Sequence, residues 1–192
     1  MNRHHPLPTE DQLRAELARE KHKRRFGSVL RSTIYTLVVV AAAAVLVAVL
    51  FMPVLQIYGS SMTPTLTEGN IVVCVKGTEL EQGDLVVFYS GTKVLVKRYI
   101  AGPGSWVDID EDGNVSVNGK ALDEPYVAEK ALGECDIELP YQVPDGRIFV
   151  MGDHRATSVD SRSTAVGCIA DDDIVGRIVF RVWPLSEFGA AK

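Results

Sequence analysis

Between Ile34 and Leu55 the chain carries no charged residue, and from Val38 to Phe51 it is apolar without interruption. A helix that crosses ~30 Å of hydrocarbon needs ~20 such residues. The run is apolar on every face, so a soluble fold would have to surround it completely, and nothing downstream reads as able to do so. A cleaved leader would have a shorter apolar core and a small-residue cleavage site. Here the run ends in Phe51-Met52-Pro53 behind a long polar tail. The expected organisation is a tail over 1–32, a transmembrane helix over 33–55 and an outer domain over 56–192.

The flanks orient that helix. Lys21, Lys23, Arg24, Arg25 and Arg31 precede it, and no Lys or Arg follows until Lys76. The positive-inside rule then puts the N-terminus in the cytoplasm and everything after Leu55 outside the plasma membrane, in a single pass. Thr9 to Arg25 reads as a polar helix, with Thr9 as its cap and Leu13 and Leu17 as a thin apolar stripe.

With 192 residues in all, the outer part is one domain of ordinary size. A net charge of −5 gives no basic footprint for nucleic acid. Short apolar or alternating runs separated by Gly, Pro, Asp and Asn point to strands. They are Ile71–Val75, Leu85–Tyr89, Val94–Ile100, Trp106–Ile109, Val115–Asn118, Ile148–Met151 and Ile174–Trp183. The expected fold is mainly β, an antiparallel-sheet domain behind one N-terminal helix, with 105–147 a small inserted hairpin or cap region.

Asp108-x-Asp110-x-Asp112-Gly113 matches the first half of a calcium loop, but the position that should supply a bidentate Glu is Gly119. Asp112-Gly113-Asn114 reads instead as a hairpin tip. Three cysteines, Cys74, Cys135 and Cys168, leave at least one unpaired, and buried inert thiols are the default reading. No His or Cys spacing resembles a zinc site, so neither metal nor cofactor is expected.

A hydrolytic serine needs a base and an oxyanion site. Of the four His, only His154 shares the outer side, in the turn-like Gly152-Asp153-His154-Arg155. Lysine is the other candidate. Its reference pKa is ~10.4, and burial among apolar groups can lower it by several units. Lys97, within Val94-Leu95-Val96-Lys97-Arg98-Tyr99-Ile100, has the most apolar surroundings of the outer lysines. Lys76, Lys93, Lys120 and Lys130 read as solvated. Alone, Lys97 reads more often as a strand lysine reaching back to water.

Together the segments are more specific. Gly59-Ser60-Ser61-Met62-Thr63-Pro64-Thr65-Leu66 resembles the nucleophile box of bacterial type I signal peptidases. Gly83 to Phe88, Lys97 to Gly104 and Gly152 to Arg162 resemble that family's following boxes, in the family's order. The resemblance implies a serine endopeptidase in which Ser61 is nucleophile, Lys97 general base and Ser158 the residue orienting the lysine amine. It implies structural roles for Asp153, Arg155, Asp160 and Arg162, and one oxyanion donor in the Ser61 N–H. Some members use a hydroxyl two residues before the nucleophile. That position is Gly59 here, so the resemblance implies either a backbone donor at Gly59 or a weaker hole, with Ser60 as a candidate helper. Ser105, Ala156-Thr157 and His154 depart from common members without touching nucleophile or base.

The resemblance further implies signal-peptide removal from secretory preproteins after small residues (Ala-x-Ala sites), beside the bilayer and the translocation machinery. The substrate strand would add to edges at Gln56, Ile57 and Tyr58 and at Val94, Leu95 and Val96. Phe51, Met52, Trp183 or Trp106 would seat the domain at the interface, though the two Trp read equally well as core residues. Rival classes are a soluble serine–lysine autoprotease, against which the apolar span argues, and a non-catalytic secretion chaperone, which would lack the Ser or the Lys.

Overall fold

The computed structural model describes residues 9–191, in two compact units that divide between Val49 and Leu50. The first is carried by helix α1 (Glu10–Phe51), none of whose residues is buried. Thr9 caps it. Its N–H donates to Gln12 Oε1 at 3.1 Å and its carbonyl accepts the Leu13 N–H at 3.1 Å, one half of a capping box. The polar helix and the apolar span expected from composition are thus one element. It stops short of Leu55 because Pro53 has no N–H to donate and disfavours helical geometry at Met52.

Every strand pairing described in the second unit is antiparallel. Its strands are β1 (Val54–Gln56), β2 (Ile71–Val75), β3 (Leu85–Ser90), β4 (Lys93–Ala101), β5 (Trp106–Ile109), β6 (Val115–Val117), β7 (Lys120–Ala121), β8 (Tyr141–Gln142), β9 (Arg147–Met151), β10 (Ile169–Ala170), β11 (Ile174–Trp183) and β12 (Gly189–Ala190). An eight-stranded sheet runs β1-β2-β11-β3-β4-β9-β10, with β12 beside β11; the second sheet runs β7-β6-β5-β8. The long runs read from sequence are all strands. β1, β7, β8, β10 and β12 were not anticipated, because two or three residues carry no readable period.

Strand β3 explains the core. Leu85 and Val87 point into a cluster with Ile57, Met62, Leu66, Val72 and Cys74, while Val86 and Phe88 point into another with Ile148, Val150 and Ile169. A strand buried on both faces reads as an unbroken apolar run. A third cluster, including Ile100, Val107, Val115 and Phe149, joins the two sheets.

The Asp-rich segment is the β5–β6 hairpin. The Asp110 carboxylate accepts the Asn114 N–H and side-chain amide, both at 2.8 Å, and Gly113 takes the left-handed φ of +80° that the turn requires. All three cysteines are free thiols. Cys74 and Cys168 are buried and Cys135 half-buried, and burial pushes the Cys74 thiol up to about 11. Trp106 and Trp183 are 47% and 53% exposed, which removes their reading as core residues.

Two strand edges are left bare in the large sheet. β4 pairs with β3 from Lys93 to Arg98, but its pairing with β9 begins only at Arg98. β1 is a terminal strand with β2 as its partner.

Candidate active site

Those two edges border one groove of about 350 Å³, lined by Gln56, Ile57, Tyr58 and Gly59 on one wall and Val94, Leu95 and Val96 on the other, with Ser61 and Met62 between them. The lining is mostly apolar, as in a site that takes extended peptide.

Ser61 sits in the irregular stretch between β1 and β2. Ile57 N–H to Asn70 carbonyl (2.8 Å) and Gly69 N–H to Ile57 carbonyl (2.9 Å) close that loop at its base. Met62 and Leu66, both buried, plug it into the core, and the Met62 carbonyl accepts the Leu66 N–H at 2.8 Å. Gly59 adopts φ +85°. The backbone N–H groups of Gly59, Ser60 and Ser61 make no hydrogen bond among the described residues. Neither does the Ser61 hydroxyl. Ser60 is exposed and its carbonyl accepts the Thr63 N–H at 3.1 Å.

Lys97 lies on β4 directly opposite Val86 and is 4% exposed. Its Nζ donates to Ser158 Oγ at 2.8 Å. Burial drives its pKa down to about 8. The Asp160 charge opposes that shift, Arg162 assists it, and Asp153 opposes it more weakly. Lys76, Lys93, Lys120 and Lys130 are exposed, as expected.

Gly152 brings the serine and lysine sides together. A Cβ at that position would run into the Ser158 hydroxyl and the Ser61 carbonyl, so its backbone lies between the loop that carries Ser61 and the residue that holds Lys97. The His154 N–H also donates to the Ser61 carbonyl at 3.1 Å, and the His154 carbonyl accepts the Ser158 N–H at 3.1 Å. His154 itself is exposed and its ring is bonded to Thr157; nothing joins its imidazole to Ser61.

Beneath the lysine lies a set of buried ion pairs. Asp160 accepts Arg162 Nε and Nη2, both at 2.9 Å, and the Gly152 N–H at 2.8 Å. Burial pushes its carboxyl up, but the Arg162 bonds and charge, the Gly152 N–H and the neighbouring Ser158 hydroxyl together hold it below its ordinary value. Arg162 Nη1 also donates to the Leu132 carbonyl at 2.5 Å. Asp153 and Arg155 were not assigned partners by the sequence reading. Asp153 pairs with Arg98 (Nε–Oδ1 2.8 Å, Nη2–Oδ2 2.6 Å) and accepts the Thr65 hydroxyl, while Arg155 pairs with Glu124. Arg98 and Thr65 stood inside recognised boxes without a role. Glu124, just before Pro125, lies in no motif that the sequence shows.

The family described as signal peptidase, peptidase S26, has a sequence model that matches residues 30–183. Signal peptidase I of Bacillus amyloliquefaciens is 37% identical over 169 residues, covering 81% of this chain and 86% of that protein. Signal peptidase I T of Bacillus subtilis is 38% identical over 156 residues, covering 74% and 79%. Signal peptidase IB of Staphylococcus aureus is 40% identical over 152 residues, covering 69% and 78%. A crystal structure of a signal peptidase I from Enterococcus faecalis superposes with a TM-score of 0.45 at 26% identity, covering 52% of this chain and 97% of that one.

Proposed function

Because the chain belongs to the signal peptidase family, peptidase S26, we propose that it removes signal peptides from secretory preproteins with Ser61 as nucleophile and neutral Lys97 as general base. That it is a serine peptidase of the signal peptidase I type follows from membership. The residue assignment is supported above all by one observation: the Lys97 amine is buried, held by Ser158, and brought to about 8, where a useful fraction is neutral near physiological pH.

The steps conserve protons. A substrate strand lies in the groove between the bare edges of β1 and β4, with its scissile carbonyl beside Ser61. Lys97 Nζ takes the Ser61 hydroxyl proton as Oγ attacks. The unengaged N–H groups of Ser61 and of Gly59 or Ser60 receive the oxyanion. The lysine ammonium returns its proton to the leaving amine, and an acyl-enzyme remains. Water, deprotonated by the same amine, then releases the signal peptide and resets serine and lysine. Ser158 fixes the direction of the amine throughout.

Apolar Ile57, Leu95 and Val96 line the groove, which is compatible with selection of small apolar residues by exclusion of bulk. The long apolar helix supports a membrane anchor, with the basic flank on the cytoplasmic side and the β domain outside, next to the translocation machinery. Exposed Trp183 suits an interfacial role.

Full-length chain in detergent should cleave a labelled Ala-x-Ala peptide after the final Ala, and Ser61→Ala and Lys97→Ala should each lose roughly 10⁴-fold or more in kcat. Retained turnover in either folded variant would overturn the assignment of that residue.

A further inference from the structure

The segment after β7 has no regular structure, yet it reaches the ion pairs under the lysine at three points. The Glu124 carboxylate is fully buried and receives both terminal nitrogens of Arg155. The Tyr126 ring stacks on the Arg98 guanidinium at 3.8 Å, and burial pushes its phenol up, which keeps it neutral. The Leu132 carbonyl accepts from Arg162. None of these residues lines the groove that holds Ser61.

We propose that Glu124 is a positioning residue for this peptidase: through Arg155 it fixes Gly152, and through Gly152 it sets the spacing of Ser61 from the Ser158–Lys97 pair. Each link is a contact. Glu124 holds Arg155. Arg155 Nε, aimed by that pair, donates to the Gly152 carbonyl at 3.0 Å. The Gly152 N–H is tied to Asp160 at 2.8 Å, so both ends of this peptide segment are held by buried charge. A Cβ on its α-carbon would strike the Ser158 side chain and the Ser61 carbonyl, so both residues pack directly against this backbone. Fixing a backbone that separates two reacting groups acts on turnover, because misplacement of about 1 Å can cost on the order of 10²-fold. The inference rests on the Ser61–Lys97 reading.

Glu124→Gln keeps the shape and removes the charge. A Glu124→Leu/Arg155→Met double variant removes both charges, which buried pairs tolerate better than loss of one partner, but it also removes the bond to Gly152. In full-length enzyme cleaving the Ala-x-Ala peptide, both variants should lose about 10-fold or more in kcat with KM little changed. Both should also move the rising limb of the pH–rate profile upward, toward the ~10.4 of free lysine, as the loosened turn admits water to the amine. The charged groups acting on Lys97, namely Asp160, Arg162 and Asp153, are untouched by either substitution. A folded double variant with wild-type kcat and limb would overturn the inference, as would a lower kcat with the limb unmoved. Ser61→Ala and Lys97→Ala run alongside separate the cases. If they are inactive while the Glu124 variants match wild type, the positioning role fails alone; if they are active, the underlying assignment fails.

Discussion

On the serine side of the site the deepest anchors are apolar, with the Thr65 hydroxyl on Asp153 and the Ser61 carbonyl on the His154 N–H as polar ties above them. Met62 and Leu66 drop from the Ser61 loop into a cluster with Val72, Cys74 and Leu85, while Ser61 stays partly open to the groove. On the lysine side the largest fully buried side chains are three arginines, Arg98, Arg155 and Arg162, each paired with a carboxylate. An apolar plug fixes a loop chiefly in depth and leaves its direction to the few polar ties above it. Paired, bidentate charges fix direction as well, which suits an amine that must be kept dry and aimed. Buried pairs add little net stability, yet losing one partner strands the other.

That contrast predicts unequal tolerance. The largest effect falls on the lysine side: Arg162→Gln leaves the Asp160 carboxylate without its partner and should cost about 3–5 kcal/mol. Leu66→Met, a volume-conserving change on the serine side, should cost under ~1.5 kcal/mol. Thermal or denaturant unfolding of the full-length chain in detergent reads both, and equal costs would break the comparison.

A smaller effect of opposite sign is expected at Lys97. An unfolded lysine titrates near ~10.4, and the folded one near about 8. The folded state therefore binds fewer protons between those values. Stability is highest above the unfolded value, falls as pH drops from there to about 8, and levels off below that, where the folded amine carries its charge too. Lys97→Met should thus stabilise the domain at pH 7, by about 1–3 kcal/mol after loss of the Ser158 hydrogen bond, and should flatten the rise in stability between pH 8 and 10. A destabilised Lys97→Met, or an unchanged pH dependence, would mean that the amine is not held at a cost.

The serine side was the more legible half. Its residues are contiguous from Gln56 to Leu66, and the β4 wall from Val94 to Val96 reads as an apolar strand. Lys97 stood out because four apolar neighbours surround it in sequence, and its burial follows from the β3 partner opposite. The lysine side's support was hidden, since an ion pair needs two residues and sequence shows only one at a time. Glu124 and Arg155 are brought together by a segment without period or motif, and Arg98 to Asp153 spans strand and loop. The end of α1 was misjudged because charge-free composition continues past Pro53, where hydrogen bonding does not. Trp106 and Trp183 show the converse: aromatic character left an interfacial and a core reading open, and their half-exposed side chains remove the second.

The most direct measurement is the pH dependence of kcat/KM for Ala-x-Ala peptide cleavage by the full-length enzyme. A neutral lysine base predicts a rate that rises through an apparent pKa of about 8 and a limb that disappears with the activity in Lys97→Ala. A rate that is flat from neutral pH upward, or that rises only at the ~10.4 of free lysine, would contradict a buried, neutral Lys97 as the base.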